Sequence, residues 1–181
     1  LAQTPANYAN SNKKALTTTA CWSDYTSSDP GADIETARNA IRAQIGKFPN
    51  LMVIGPATYT ILKYHPKVTD RIKFVQKSII NTDILAELFD IPRVVIGNAV
   101  MSSDKNVNSD VWGDNAILAY VPDKPGRYEP AAMYTYRMNG YPQGDNYFGI
   151  GEKVEHIRAT DMSTPFIVGK DAMYLISNTV A

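Results

Sequence analysis

Between residues 29 and 62 the apolar positions recur first at helical and then at strand spacing. Ile34, Ala37, Ile41 and Ile45 return every three or four residues and define one stripe of a helix, while Glu35, Arg38, Asn39 and Arg42 lie off it. Asp29 is placed to cap that helix, Pro30 suits its first position, and Asp33 and Glu35 put negative charge at the positive end of its dipole. Gly46 is a natural stop. After the turn at Pro49-Asn50, Leu51, Met52, Val53 and Ile54 form an apolar run too short for a core helix and bounded by turn residues, which predicts a buried strand. Gly55-Pro56 then opens a second helix with Tyr59 and Leu62 on its packing side.

Downstream, His65-Pro66 interrupts the second helix, and the mixed pattern of 68–80 fits either a strand or a short helix. Asn81 and Thr82 offer a cap for a helix whose apolar face is Ile84, Leu85 and Leu88 and which Pro92 ends. Residues 93–97 and 116–121 read as a second and a third buried strand, and 101–110 and 123–130 as surface loops without regular structure. Then the character changes. Residues 133–138 and 154–158 alternate as half-exposed antiparallel strands do, and strands are predicted again at 166–168 and 173–176. Residues 1–30, rich in Ala, Asn, Ser and Thr, read as an extended arm or ordered loop with Trp22 and Tyr25 as anchors. The pattern predicts an α+β fold whose first two thirds are α/β and whose last third is β ribbon.

Composition narrows the functions. With 181 residues the chain is long enough for a real core, and 18 Lys and Arg balance 18 Asp and Glu. Binding duplex DNA through its backbone favours a basic excess, which is absent. Neutrality suits a protein that packs beside copies of itself, because like charge opposes assembly. No apolar run approaches membrane-spanning length. Cys21 is the single cysteine, which excludes disulfide frameworks and cysteine clusters and leaves a space-filling role. The opening on Leu1, without a signal-peptide pattern, suggests a trimmed chain whose N-terminal portion is absent.

No catalytic, cofactor or metal site is predicted. His156 could recruit Glu152 and Glu155, but on a strand Glu155 and His156 point to opposite faces. Cys21 lacks a nucleophile elbow and an oxyanion loop, which argues against pairing it with His65 or His156. Gly149-Ile150-Gly151-Glu152-Lys153 lacks phosphate-loop spacing and reads as a hinge or bulge entering a ribbon. Five tyrosines, Tyr128, Tyr134, Tyr136, Tyr141 and Tyr147, are interleaved with Arg127 and Arg137. Stacking on single-stranded nucleic acid, a protein interface and an ordinary sheet edge all fit that pattern, and zero net charge favours the last two. A chain with sound fold signals and no catalytic constellation is more often a structural or binding protein.

Several blocks also occur in a telling order: DIETARNAIR, FPNLMVIGPATYTILKYHPKV, ILAELFDIPRVVIGNAV, DVWGDNAILAYVP and, last, KVEHIRATDMSTPFIVGKDAMYLISNTV. Together they resemble the major capsid proteins of tailed bacteriophages and prophages, whose shared architecture is the Hong Kong-ninety-seven capsid fold. The resemblance implies a spine helix and peripheral domain at 31–50, an α/β axial domain at 51–146, and peripheral strands returning at 147–181. It implies a structural protein of the virion that assembles with itself, in the host cytoplasm, into pentamers and hexamers of an icosahedral shell. Double-stranded DNA lies inside without sequence-specific contacts, and scaffold, portal or decoration proteins are further partners. Ser102, Asp104, Lys105, Asn106 and Asn108 are the candidate subunit-contact loop at the axial tip; Arg127, Tyr128, Tyr134 and Tyr136 are candidate interface residues. The N-terminal arm and extended hairpin of family members would precede Leu1, so the chain resembles the C-terminal part of a longer subunit. A bacterial encapsulin-like shell and an α/β small-molecule enzyme are the alternatives.

Overall fold

A computed structural model describes residues 1–73, 80–102, 107–126, 128–151 and 153–181. The first half holds β1 (Lys13–Ala15), α1 (Pro30–Ile45), β2 (Leu51–Ile54), α2 (Pro56–Tyr64), α3 (Pro66–Ile72), α4 (Thr82–Phe89) and β3 (Arg93–Ile96). The second half holds β4 (Val100–Ser102), β5 (Asn108–Asp110), β6 (Ala116–Ala119), β7 (Met133–Arg137), β8 (Gln143–Phe148), β9 (Glu155–Thr160), β10 (Ser163–Ile167) and β11 (Met173–Ser177), with a short 3-10 turn at Lys170–Ala172.

α1 forms where its pattern places it. Asp29 accepts the Ala32 N–H at 3.1 Å, Pro30 opens the helix, and Gly46 closes it at φ 71° with its N–H on the Arg42 carbonyl. Ile34, Ala37 and Ile41 are buried. Arg38, expected off the stripe, is buried as well. Its stem lies along apolar surface while its guanidinium reaches Glu35 at 2.9 Å and Asp90 at 2.6 Å and covers the Phe48 ring at 5.0 Å. Glu35 is the i−3 neighbour on α1, but Asp90 comes from the α4 end and Phe48 from the turn after α1, partners that helical periodicity alone could not reveal.

The body is built on a five-stranded sheet in the order β1-β11-β6-β2-β3. β2 and β3 are parallel, and α2, α3 and α4 supply the long crossover that parallel neighbours require. β6 runs antiparallel between β2 and β11. Alternation divides the two central strands between two cores. Ala116, Leu118, Tyr174 and Ile176 join α1, α2 and α4 on one face, and Ile117, Ala119, Met173 and Leu175 pack with Tyr8, Ala132 and Ala172 on the other. This explains why 116–119 and 173–176 read as continuous apolar runs.

Residues 1–30, expected as an extended arm or ordered loop, run as an ordered segment packed on the body: β1 pairs parallel to β11, and Tyr8, Leu16, Cys21 and Trp22 are buried in the two cores. Trp22 is anchored through its indole N–H on Asp33 at 2.9 Å, whereas Tyr25 is exposed and only edges against His65. The loop expected over 101–110 contains β4 and β5, an antiparallel pair from Val100↔Asp110 to Ser102↔Asn108. Strands of three residues are too short to carry a period. Of 68–80, the stretch left open, residues through Ile72 are helical in α3, and 74–79 lie outside the described residues.

The cap of α4 gives a test of the local reading. Asn81 accepts the Ile84 N–H at 2.9 Å and is the N-cap. Asn81→Ala is expected to cost about 1 kcal/mol and lower the melting temperature by roughly 2–4 °C. A thermal melt unchanged from wild type would mean the cap contributes nothing.

Candidate assembly surface

From Met133 to Ile167 the chain leaves the body and returns as one nested hairpin. β7 pairs with β10 from Met133↔Ile167 to Arg137↔Ser163, and β8 pairs with β9 from Gln143↔Thr160 to Phe148↔Glu155. Residues 138–142 face only 161–162 at the joint, where the Met138 N–H donates to the Met162 carbonyl at 3.0 Å. The ribbon extends about 40 Å at ordinary strand rise. At the far end the Gly149 N–H donates to the Val154 carbonyl, and Ile150-Gly151 turn the chain; Glu152 lies outside the described residues.

The ribbon has two chemically different halves. Near the body, Tyr134, Tyr136 and Phe166 share a face and meet edge-on, with centroids 6.4 Å and 6.3 Å apart. Farther out, one face is polar: Arg158 binds Asp145 through both guanidinium contacts at 3.0 Å and 2.7 Å, and Tyr147 stacks on His156 at 5.1 Å. The hydrogen bond to Asp145 raises the guanidinium's pKa further above its ordinary value. The opposite face carries Phe148 and Ile157, 65% and 84% exposed, with Gly144 and Ala159 and with their register partners Glu155 and Asn146, which hydrogen-bond at 2.8 Å. Two strands alone make a marginal structure in water, and large apolar side chains open on them mark a contact surface.

The expected site residues fall in different places. Ser102 and Asn108 are register partners at the loop end of the β4–β5 pair, both exposed; Asp104, Lys105 and Asn106 lie outside the described residues. Tyr134 and Tyr136 come together on the ribbon, and the Tyr134 hydroxyl is buried with no hydrogen-bond partner. Tyr128, 94% exposed, sits in the loop before the ribbon, and Arg127 is not described. That loop is held to the end of α1 by Glu129, which takes Lys47 at 2.7 Å and the Tyr120 hydroxyl at 3.0 Å. The Lys47 hydrogen bond lowers the pKa of the Glu129 carboxyl, and the same bond raises that of Lys47. Phe148, Ile157 and Phe166 were not singled out from sequence. Gln143-Gly144-Asp145-Asn146 has weak strand propensity, so β8 and the face it completes gave no signal.

Arg137 is tied to Asp161 at 3.1 Å and Arg158 to Asp145, which leaves these cations little to offer a phosphate backbone. A recess of about 550 Å³ at the joint contains that Arg137–Asp161 pair among otherwise uncharged side chains. Among the described residues no three metal-ligating side chains converge, and no helix is long and apolar enough to cross a membrane.

Residues 7–176 match the family model described as phage major capsid protein E. The major capsid protein of Burkholderia phage BcepMu is 42% identical over 182 residues, covering 98% of this chain and 59% of that protein. The major capsid protein of Pseudomonas phage JBD67 is 28% identical over 122 residues, which is 64% of this chain and 38% of that one. A crystal structure of a phage-related protein from Bordetella bronchiseptica RB50 superimposes with a TM-score of 0.90 at 34% identity, over 99% of this chain and 60% of that one. This chain therefore spans 59% of the length of the BcepMu relative and 38% of the JBD67 one. The match across residues 7–176, together with the shared α+β fold, shows that the chain belongs to the phage major capsid protein E family.

Proposed function

We propose that this chain is the shell-forming part of a tailed-phage or prophage head subunit. Many copies make head-to-tail contacts that close into pentamers and hexamers and tile an icosahedral shell around double-stranded DNA. The observation that carries this reading is the ribbon, anchored to the second core by Met133 and Ile167 and presenting Phe148, Ile157 and Phe166 exposed beyond it. The role is structural: the ribbon supplies contact surface, and charge neutrality removes the repulsion that copies would otherwise meet. Assembly in the host cytoplasm and contact with scaffold, portal or decoration proteins belong to the same proposal, as do contacts through Ser102, Asn108, Tyr128, Tyr134 and Tyr136.

So does the assignment of 31–50 to a spine helix, 51–146 to an axial domain and 147–181 to returning strands. The core that α1 shares with β2 and β11 argues for joining the first two into one body, with the ribbon as the outlying part.

Electron microscopy of the full-length gene product after size-exclusion chromatography tests the reading. Closed shells, or rings of five or six, are expected; a uniform monomer across salt and protein concentrations would overturn it. Shells filled with protein rather than DNA would instead indicate a compartment of the encapsulin kind. Ile157→Asp separates assembly from folding. Because Ile157 is exposed, stability should stay within about 0.5 kcal/mol of wild type, while the yield of shells falls. Normal shells from this variant would remove the outer ribbon face from the contact surface.

A further inference from the structure

The joint between the two halves of the ribbon is its least paired stretch, since 138–142 oppose only 161–162. The chain turns there over Met138-Asn139-Gly140-Tyr141, closed by the Tyr141 N–H on the Met138 carbonyl at 3.2 Å, with Gly140 at φ 88°. Asn139 and Gly140 are both exposed. The peptide group that joins them is uncommitted. Neither the Asn139 carbonyl nor the Gly140 N–H has a hydrogen-bond partner among the described residues, and the Asn139 carboxamide has none either. A Cβ built on Gly140 would meet nothing nearer than Gln143 Nε2 at 3.8 Å, so the space beside its nitrogen is open.

We propose that Asn139–Gly140 is a self-modifying site, where the asparagine side chain closes on the glycine nitrogen and is converted to aspartate and isoaspartate.

The step needs only water. The Gly140 nitrogen gives its proton to hydroxide and attacks Asn139 Cγ; the N–Cγ bond forms, the Cγ–Nδ2 bond breaks, and Nδ2 takes a proton from water and leaves as ammonia. Water then opens the resulting succinimide at one of its two carbonyls. Opening at Cγ restores the main chain with an aspartate side chain, and opening at the main-chain carbon routes the backbone through Cβ and Cγ as isoaspartate. No electron is gained or lost. A nitrogen can make this attack when no side chain crowds it and its peptide can rotate, and glycine in an unpaired turn supplies both. Elsewhere a requirement fails. The carboxamides of Asn7, Asn50 and Asn81 are held by hydrogen bonds, and Asn98, Asn115 and Asn178 are each followed by a residue with a side chain. Asn-Gly occurs once in the chain. The product places a carboxylate two residues from the Arg137 that pairs with Asp161. In its isoaspartyl form it also lengthens the main chain between β7 and β8, at the point where the outer half of the ribbon is set on the inner half.

Full-length protein incubated at neutral and at mildly alkaline pH, digested in acid so that the reaction stops, and read by peptide mass spectrometry with isoaspartyl methyltransferase labelling tests this. The readout is chemical and does not depend on shells forming. The peptide carrying 139–140 should gain acid and methyl-accepting forms ahead of the peptides carrying Asn50 and Asn81. Its rate should rise about tenfold per pH unit, because a proton must first leave the Gly140 nitrogen. Asn139→Gln would have to close a larger ring, so that peptide should stay unmodified, and the thermal melt should not move because the side chain is exposed and unbonded. The proposal is overturned if the wild-type peptide stays amidated, if Asn50 or Asn81 converts as fast, or if Asn139→Gln leaves the signal in place.

Discussion

Ile41→Asp is expected to abolish folding. Ile41 is 0% exposed and sits among Ile34, Met52, Leu118 and Ile176 where α1 meets the sheet. Losing its burial removes about 1.5–3 kcal/mol. The new carboxylate would also lie in an apolar core, at a further penalty of several kcal/mol unless it gains a proton or a partner. Arg38, three residues back along the helix, already serves Glu35 and Asp90, and the adjoining Arg42 is exposed. The combined loss is comparable to the whole stability of an ordinary domain, about 5–15 kcal/mol. Circular dichroism at 25 °C should show an unfolded chain. Ile41→Val, by contrast, should cost only about 0.5–1.5 kcal/mol and stay folded. An Asp variant that melted like wild type would mean that α1 does not carry the core.

The second large effect is expected at Gly55, between β2 and α2. Its φ of −73° suits any residue, so nothing in its backbone angle asks for glycine. The constraint is contact: a Cβ there would lie 1.8 Å from the Gly113 carbonyl oxygen and 3.2 Å from that of Trp112. Both obstacles are backbone, just before β6, and neither can rotate away. Gly55→Ala should therefore displace the β2–β6 pairing and destabilise by about 3 kcal/mol, the upper end for an overpacked site. Gly46→Ala is the comparison. There φ is 71° and no atom lies within 4 Å of the added Cβ, so the cost is backbone strain alone, about 1–2 kcal/mol. If thermal melts ranked Gly46→Ala as the worse of the two, the close approach at Gly55 would be discounted.

These two glycines show what local pattern can and cannot convey. Gly46 announces itself, because it follows the last apolar position of a helical stripe. Gly55 looks like an ordinary turn glycine, and its importance comes from Trp112 and Gly113, more than fifty residues away. Arg38 is a similar case. Periodicity sends it to solvent beside Glu35, and the approach of Asp90 and Phe48 adds the long-range partners of a buried guanidinium. The ribbon lies between these extremes. Alternation marked 133–138 and 154–158 as half-exposed strands, but β8 is written in residues of weak strand propensity. Pro165 sits within β10, a position tolerated because neither ribbon strand is flanked on its outer side.

By itself the sequence determined the elements whose signal is local: α1 with its caps, the short apolar strands of the sheet, the cap of α4, and the change from α/β to ribbon. It also determined neutrality and, through the order of its blocks, the family. Tertiary structure alone decided which strands pair, that residues 1–30 belong to the cores, that 133–168 form one nested hairpin, and that Phe148, Ile157 and Phe166 stand open on it. The physical reason is range. Caps and amphipathic stripes are set by neighbours within a turn or two of backbone, whereas burial, register and close approach depend on residues that only the folded chain brings together.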